Sequence, residues 1–165
     1  MANNAVVQPL GISRVTSLAM VTLLIACGTP DDTAIKVSSG DAEMNLAISK
    51  ARQSLPEFWR AFESPNEGES DFCLKVRIED SNGAEHFWAI NIQRENEKIL
   101  GEIGNDANIV KSVKLGDQVM IEESDISDWL YMRNGKMVGN FTVRPLIKSM
   151  PVEEAQHIRS LLADP

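Results

Sequence analysis

FCLKVRIEDSNGAEHFWAINIQ, residues 72–93, alternates on both sides of a turn. Phe72, Leu74, Val76 and Ile78 fall on one face of an extended chain, with Lys75, Arg77 and Glu79 on the other. Successive side chains of a strand point to opposite faces, so this pattern predicts a half-buried β-strand. Ser81-Asn82-Gly83 breaks the run, and Asn-Gly accepts the positive φ that a type I′ turn demands. The return strand, Glu85 to Gln93, is expected to set His86, Trp88, Ile90 and Ile92 on one face. An antiparallel hairpin therefore sits at the middle of the chain.

Toward the C-terminus the extended pattern continues. Leu100 to Ile103 reads as a weaker strand, and Val113 to Glu122 as another, interrupted by Gly116-Asp117, with Val119 and Ile121 inward. Asp128 to Arg133 and Lys136 to Val138 flank a second Asn-Gly turn at Asn134-Gly135. After Pro151, VEEAQHIRSLLA predicts a terminal helix whose first-turn acids suit the helix dipole. Toward the N-terminus the period lengthens. Met44, Ala47, Ile48, Ala51 and Leu55 recur at three- and four-residue steps, as on one side of a helix. Pro56 is expected to end that helix, with PEFWRAF forming a second short one that buries Phe58, Trp59 and Phe62.

The order of elements predicts an α+β domain. N-terminal helices pack on a curved antiparallel sheet of five or six strands, which could curl into a small barrel, and a C-terminal helix follows. Residues 41–165 form this single domain. The 165-residue length suits one domain plus an extension. A net charge of −8 excludes a protein that tracks nucleic-acid phosphates, a role that wants a basic face.

The extension has its own pattern. Val15 to Ala26 is a run without charge, preceded by Arg14. Spanning a bilayer takes about 20 apolar residues, so the run has the length of a signal-peptide core instead. Residues 1–26 are read as a signal peptide, and 27–40, GTPDD onward from Cys27, as a polar tether. Leu24-Ile25-Ala26-Cys27 resembles the lipobox of bacterial lipoproteins. That resemblance implies cleavage before Cys27 and a lipid on its sulfur. With Gly28 next, it implies a bacterial cell-envelope protein on the outer membrane, facing the periplasm. An acylated Cys27 would leave Cys73 without an intramolecular partner, so no disulfide is expected.

FWRAF (58–62), EHFWAINI (85–92), VKLGDQVMIEESDISDWLYMRNGK (113–136) and GNFTVRPL (139–146) together resemble the YegJ-like domain-of-unknown-function family of bacteria. The likeness runs from about residue 44 to 148. It implies no particular activity. A looser likeness to small bacterial immunity-type proteins implies a role in binding.

Chemistry-bearing candidates are few. None of the GxSxG, HExxH, CxxC or phosphate-loop motifs occurs, and two histidines cannot build a histidine-rich metal site. No cofactor and no metal is expected. His86 is the one catalytic candidate, with Asp128 or Glu85 as an acidic partner; beside it stands a buried, hydrogen-bonded imidazole. Trp129, Tyr131, Asn140 and Arg144 flank the second hairpin and form the binding candidate, because Trp, Tyr and Arg dominate binding hot spots. The alternative is that Trp129 is core and Arg144 pairs with Asp128. The expectation is a lipid-anchored, non-catalytic protein-binding module, immunity- or inhibitor-like, with an envelope hydrolase or a structural envelope protein as alternatives. Its partners are then the membrane, through Cys27, and another protein.

Overall fold

The computed structural model describes residues 41–163, so Cys27 and the expected signal peptide and tether lie outside the described residues. Helix α1 (Ala42–Glu63) is followed by β1 (Glu69–Asp80), β2 (Gly83–Glu95), β3 (Lys98–Ile103) and β4 (Gln118–Ile121). A 3-10 turn (Glu123–Asp125) leads to β5 (Ile126–Arg133) and β6 (Lys136–Gly139); α2 (Val143–Leu146), a second 3-10 turn (Ile147–Ser149) and α3 (Val152–Leu161) complete the chain. The six strands form one antiparallel sheet in the order β4-β3-β2-β1-β5-β6. The α+β reading holds, and the sheet does not close into a barrel. No helix among the described residues is long and apolar enough to cross a membrane.

One long helix replaces the two expected before the sheet. Asp41 caps it, its carboxylate accepting from the N–H groups of Glu43 and Met44 at 2.9 and 3.0 Å. Pro56 lies inside the helix but on its exposed side. Ala47, Ala51 and Leu55 before it, and Phe58 and Trp59 after it, are all buried. Burial of one continuous apolar stripe on the sheet outweighs the missing hydrogen bond, which costs about 3 kcal/mol in a helix interior.

The central hairpin forms with one shift. Asp80 pairs with Gly83, so Ser81 and Asn82 make the turn, and the positive φ sits on Gly83 rather than on Asn82. The Asp80 carboxylate accepts the Asn82 N–H at 2.7 Å and stabilises this alternative. At Asn134-Gly135 both residues have positive φ, as a type I′ turn requires.

The face assignment of β2 is altered by a bulge. Phe87 and Ala89 face α1, while His86, Trp88 and Ile90 face away. Asn91 adopts φ 50°, the register to β3 slips between Ile90 and Gln93, and Ile92 swings to the helix side. An extra residue inverts the alternation beyond it, so Ile92 does not share the face of His86. The expected strand over 113–122 is also shortened, to Gln118–Ile121. Two carboxylates hold the preceding loop instead. Glu85 accepts the N–H groups of Asn108, Ile109 and Val110 at 2.8–3.2 Å, and Asp80 those of Lys111 and Ser112 at 2.6 and 3.0 Å. Burial opposes ionisation of Glu85, but its donors outweigh it and hold its pKa below the ordinary value. The Lys111 and Asn82 N–H groups bring Asp80 to about 2.

Candidate functional site

Both clusters singled out in the sequence converge on β5. Trp129 is 1% exposed and packs against α1, its indole N–H donating to the Ala51 carbonyl at 2.9 Å. Tyr131 is buried on the same face, stacked between Trp129 and Phe72 at ring separations of 6.0 and 5.0 Å, and Arg133 donates to its hydroxyl. Asn140 is buried with φ 49°, its N–H donating to the Trp129 carbonyl at 2.8 Å. The neighbouring Gly139, at φ 83°, is required: a Cβ there would come within 2.6 Å of the Trp129 ring. Arg144 lies half buried and donates to the Ala163 carbonyl at 3.2 Å. The structure therefore brings Trp129, Tyr131 and Asn140 together as core, where no partner can reach their side chains, and sets Arg144 apart as a tie to the C-terminal segment.

Arg144 does not pair with Asp128. That carboxylate, fully buried, accepts from the N–H of Trp129 (2.8 Å), the N–H of Phe141 (3.1 Å), and both the N–H and hydroxyl of Thr142 (2.7 Å each). Burial raises its pKa, against the pull of those donors and of Lys75. Four donors use up its acceptor capacity. Asp128 locks the segment after β6 onto β5.

On the sheet face away from α1, His86 Nδ1 lies 2.8 Å from the Ser127 hydroxyl oxygen, which itself lies 3.1 Å from the Lys75 carbonyl. A hydroxyl has one proton. With that proton donated to the carbonyl, the imidazole must donate from Nδ1, so this His-Ser contact is not a base activating a nucleophile. Ser127 is also buried. Neither acidic candidate serves His86: Glu85 is engaged with residues 108–110, and Asp128 with residues 129–142. Next to this pair, the Lys75 ammonium stands 5.2 Å from the Trp88 ring centroid. Sequence reasoning missed Ser127 and Thr142; isolated hydroxyls in ISDW and NFTV were their only signal. Among the described residues no three His, Cys, Asp or Glu side chains gather as metal ligands.

The His86 pKa is drawn down to about 4, by burial first and then by the positive charges of Lys75, Arg77 and Arg52. The residue keeps solvent contact overall, which weakens the burial contribution, yet the cations push in the same direction. An unfolded histidine titrates near 6.5, so the unfolded chain takes up the proton first as pH falls. The stability contributed by neutral His86 is complete above about 6.5 and is lost as pH falls through about 4. Unfolding midpoints measured across this window should decline with falling pH in the native chain. His86→Gln should flatten that decline; an unchanged slope would remove His86 as its cause.

Cys73 is buried on the same outer face, beside Trp88 and Leu130. The expectation that it forms no disulfide turns on Cys27, which lies outside the described residues.

Comparison with known proteins places this fold in company. The chain is 36% identical over 132 residues to the Uncharacterized protein YegJ of Escherichia coli (strain K12), a match covering 79% of this chain and 84% of that protein. It is 30% identical over 132 residues to a protein of Neisseria meningitidis serogroup B that bears an ankyrin repeat name. There the match covers 75% of this chain but only 52% of the relative, so this chain spans about half of that protein's length. No solved structure matches the chain. The family described as an uncharacterized protein conserved in bacteria (DUF2314) matches residues 41–161, nearly all of the folded domain, and the chain belongs to that family.

Proposed function

We propose that this protein is a lipid-anchored component of the bacterial cell envelope whose domain works by binding another protein, without chemistry of its own. The observation that carries the non-catalytic reading is the use of its reactive-looking groups as fasteners. The Ser127 proton goes to a main-chain carbonyl, and Asp128 spends its lone pairs on four donors. A group so committed has to break native hydrogen bonds before it can take a substrate's proton. Support for binding comes from the longer relative, whose name points to ankyrin repeats; such repeats build extended binding surfaces. An immunity- or inhibitor-like role is the narrower form of this reading.

Support for the anchor is the LIAC run itself. Two or more acyl chains on one cysteine hold a protein at a membrane, at about 0.8 kcal/mol per buried CH₂. The mature protein should begin at Cys27 with its mass raised by the lipid, and Cys27→Ser should move the protein out of the detergent phase or leave it uncleaved. Since one sulfur forms either a thioether or a disulfide, mass spectrometry of the Cys27 peptide gives a direct answer. A Cys27–Cys73 disulfide, or an unmodified Cys27, would overturn the anchor. Cross-linking in the native envelope, with and without the anchored chain, tests the binding reading; failure of the chain to enrich any specific protein would sink it.

A further inference from the structure

We propose that the seam left open in the sheet receives an extended basic segment of the partner protein as an added strand. The inference rests on the protein-binding reading above and specifies where the partner docks and with what chemistry. Strand β5 begins only at Ile126, opposite Val76, so among the described residues Arg77 to Asp80 of β1 have β2 on one side and no strand on the other. Among the described residues strand β4 pairs with β3 alone, which leaves its second edge without a partner strand there. These two runs face each other across a groove of about 530 Å³. Its size falls within the roughly 300–1,000 Å³ of ligand clefts.

Unpaired strand edges offer rows of N–H and C=O groups that template another strand, and proteins usually blunt them with charges, proline or a covering segment. The far edge of this sheet is blunted in that way: Leu162 bridges to Met137 of β6, and the Ala163 N–H donates to the Met137 carbonyl at 2.8 Å. Among the described residues β4 has no such protection. Its four residues, Gln-Val-Met-Ile, include neither charge nor proline, and Met120 is 63% exposed. Val76, Ile78, Val119 and Ile121 line the groove with apolar side chains that can accept alternate residues of an incoming strand.

The charge on the rim selects the occupant. Arg77 is neutralised by Glu79 at 2.7 Å, whereas Glu122 and Asp125 are exposed and make no ion pair among the described residues. The whole chain is acidic at −8. A segment alternating Val or Ile with Lys or Arg therefore matches the groove, and an acidic segment is repelled.

The test uses the full chain, isotope-labelled, titrated with the hexapeptide Lys-Val-Lys-Val-Lys-Val. Amide NMR shifts are expected at residues 77–80 and 118–122. The acidic counterpart Glu-Val-Glu-Val-Glu-Val, and a peptide with proline at its fourth position, should give none. Glu122→Lys combined with Asp125→Lys changes two exposed side chains and should weaken the basic peptide at least tenfold while leaving the melting temperature near that of the native chain. An absence of shifts, shifts confined to the His86 face, or equal affinity in the charge-reversed chain would each overturn the proposal. Native-envelope cross-linking separates the two readings. A partner captured equally by the native and charge-reversed chains would refute the seam alone. Peptide binding at the seam without any envelope partner would uphold the seam and refute the envelope-binding reading.

Discussion

Trp129→Ala should cost on the order of 3–5 kcal/mol of folding stability, the range for deleting a buried tryptophan from a core. The indole sits where every layer meets. Phe58 of α1 lies 5.8 Å from it, Tyr131 stacks at 6.0 Å, Phe141 meets it edge-on at 5.5 Å, and its N–H donates to the helix carbonyl of Ala51. Alanine would leave a cavity bounded by helix and sheet, neither of which can collapse into it without moving the other. Trp129→Phe should recover part of the loss, since much of the ring area returns while the smaller ring leaves a residual gap and the hydrogen bond, about 1 kcal/mol, is missing. Chemical denaturation of both variants measures the difference directly. A loss below about 1 kcal/mol for Trp129→Ala would mean that the indole is not core.

Asp128→Ala should be comparably severe, at roughly 3–5 kcal/mol, for a different reason. It leaves the N–H groups of Trp129, Phe141 and Thr142 and the Thr142 hydroxyl to find new acceptors inside a buried site. An asparagine in its place would restore one acceptor oxygen but turn an amide NH₂ toward donors, so Asp128→Asn should recover only part of the loss. Thr142→Val removes one donor of the four and should cost about 1 kcal/mol. Equilibrium unfolding of the three variants should rank Asp128→Ala worst, Asp128→Asn next and Thr142→Val mildest. If Asp128→Asn were as stable as the native chain, the carboxylate would not be the lock of the segment after β6.

The local pattern was legible where a side chain's neighbours lie along its own strand or helix. The two-residue period of 72–79, the turn at Asn134-Gly135, the helical spacing before Pro56 and the terminal helix after Pro151 all depend on short-range geometry. Each of them is present in the fold. Departures arose where distant groups outvote the local rule. Pro56 stays helical because the sheet buries residues on both sides of it. Ile92 changes faces because Asn91 takes a left-handed conformation. Residues 104–117 stay a loop because Glu85 and Asp80 satisfy main-chain donors of residues 108–112.

The candidate site shows the same division. Tryptophan, tyrosine and arginine close to a hairpin suit a binding surface and a core equally well, since both roles ask for area and a directional polar group. Composition and spacing established an acidic α+β domain with a central hairpin, and the expectation of an anchor at Cys27 came from the likeness of residues 24–27 to a lipobox. Only the tertiary structure decided that Trp129, Tyr131 and Asn140 face inward, that Asp128 answers to Thr142 rather than to Arg144, and that the sheet stops short of closing. Burial is the physical reason: which face of a strand is covered, and which donor reaches a carboxylate, depend on segments dozens of residues away, and no local period records where those segments return.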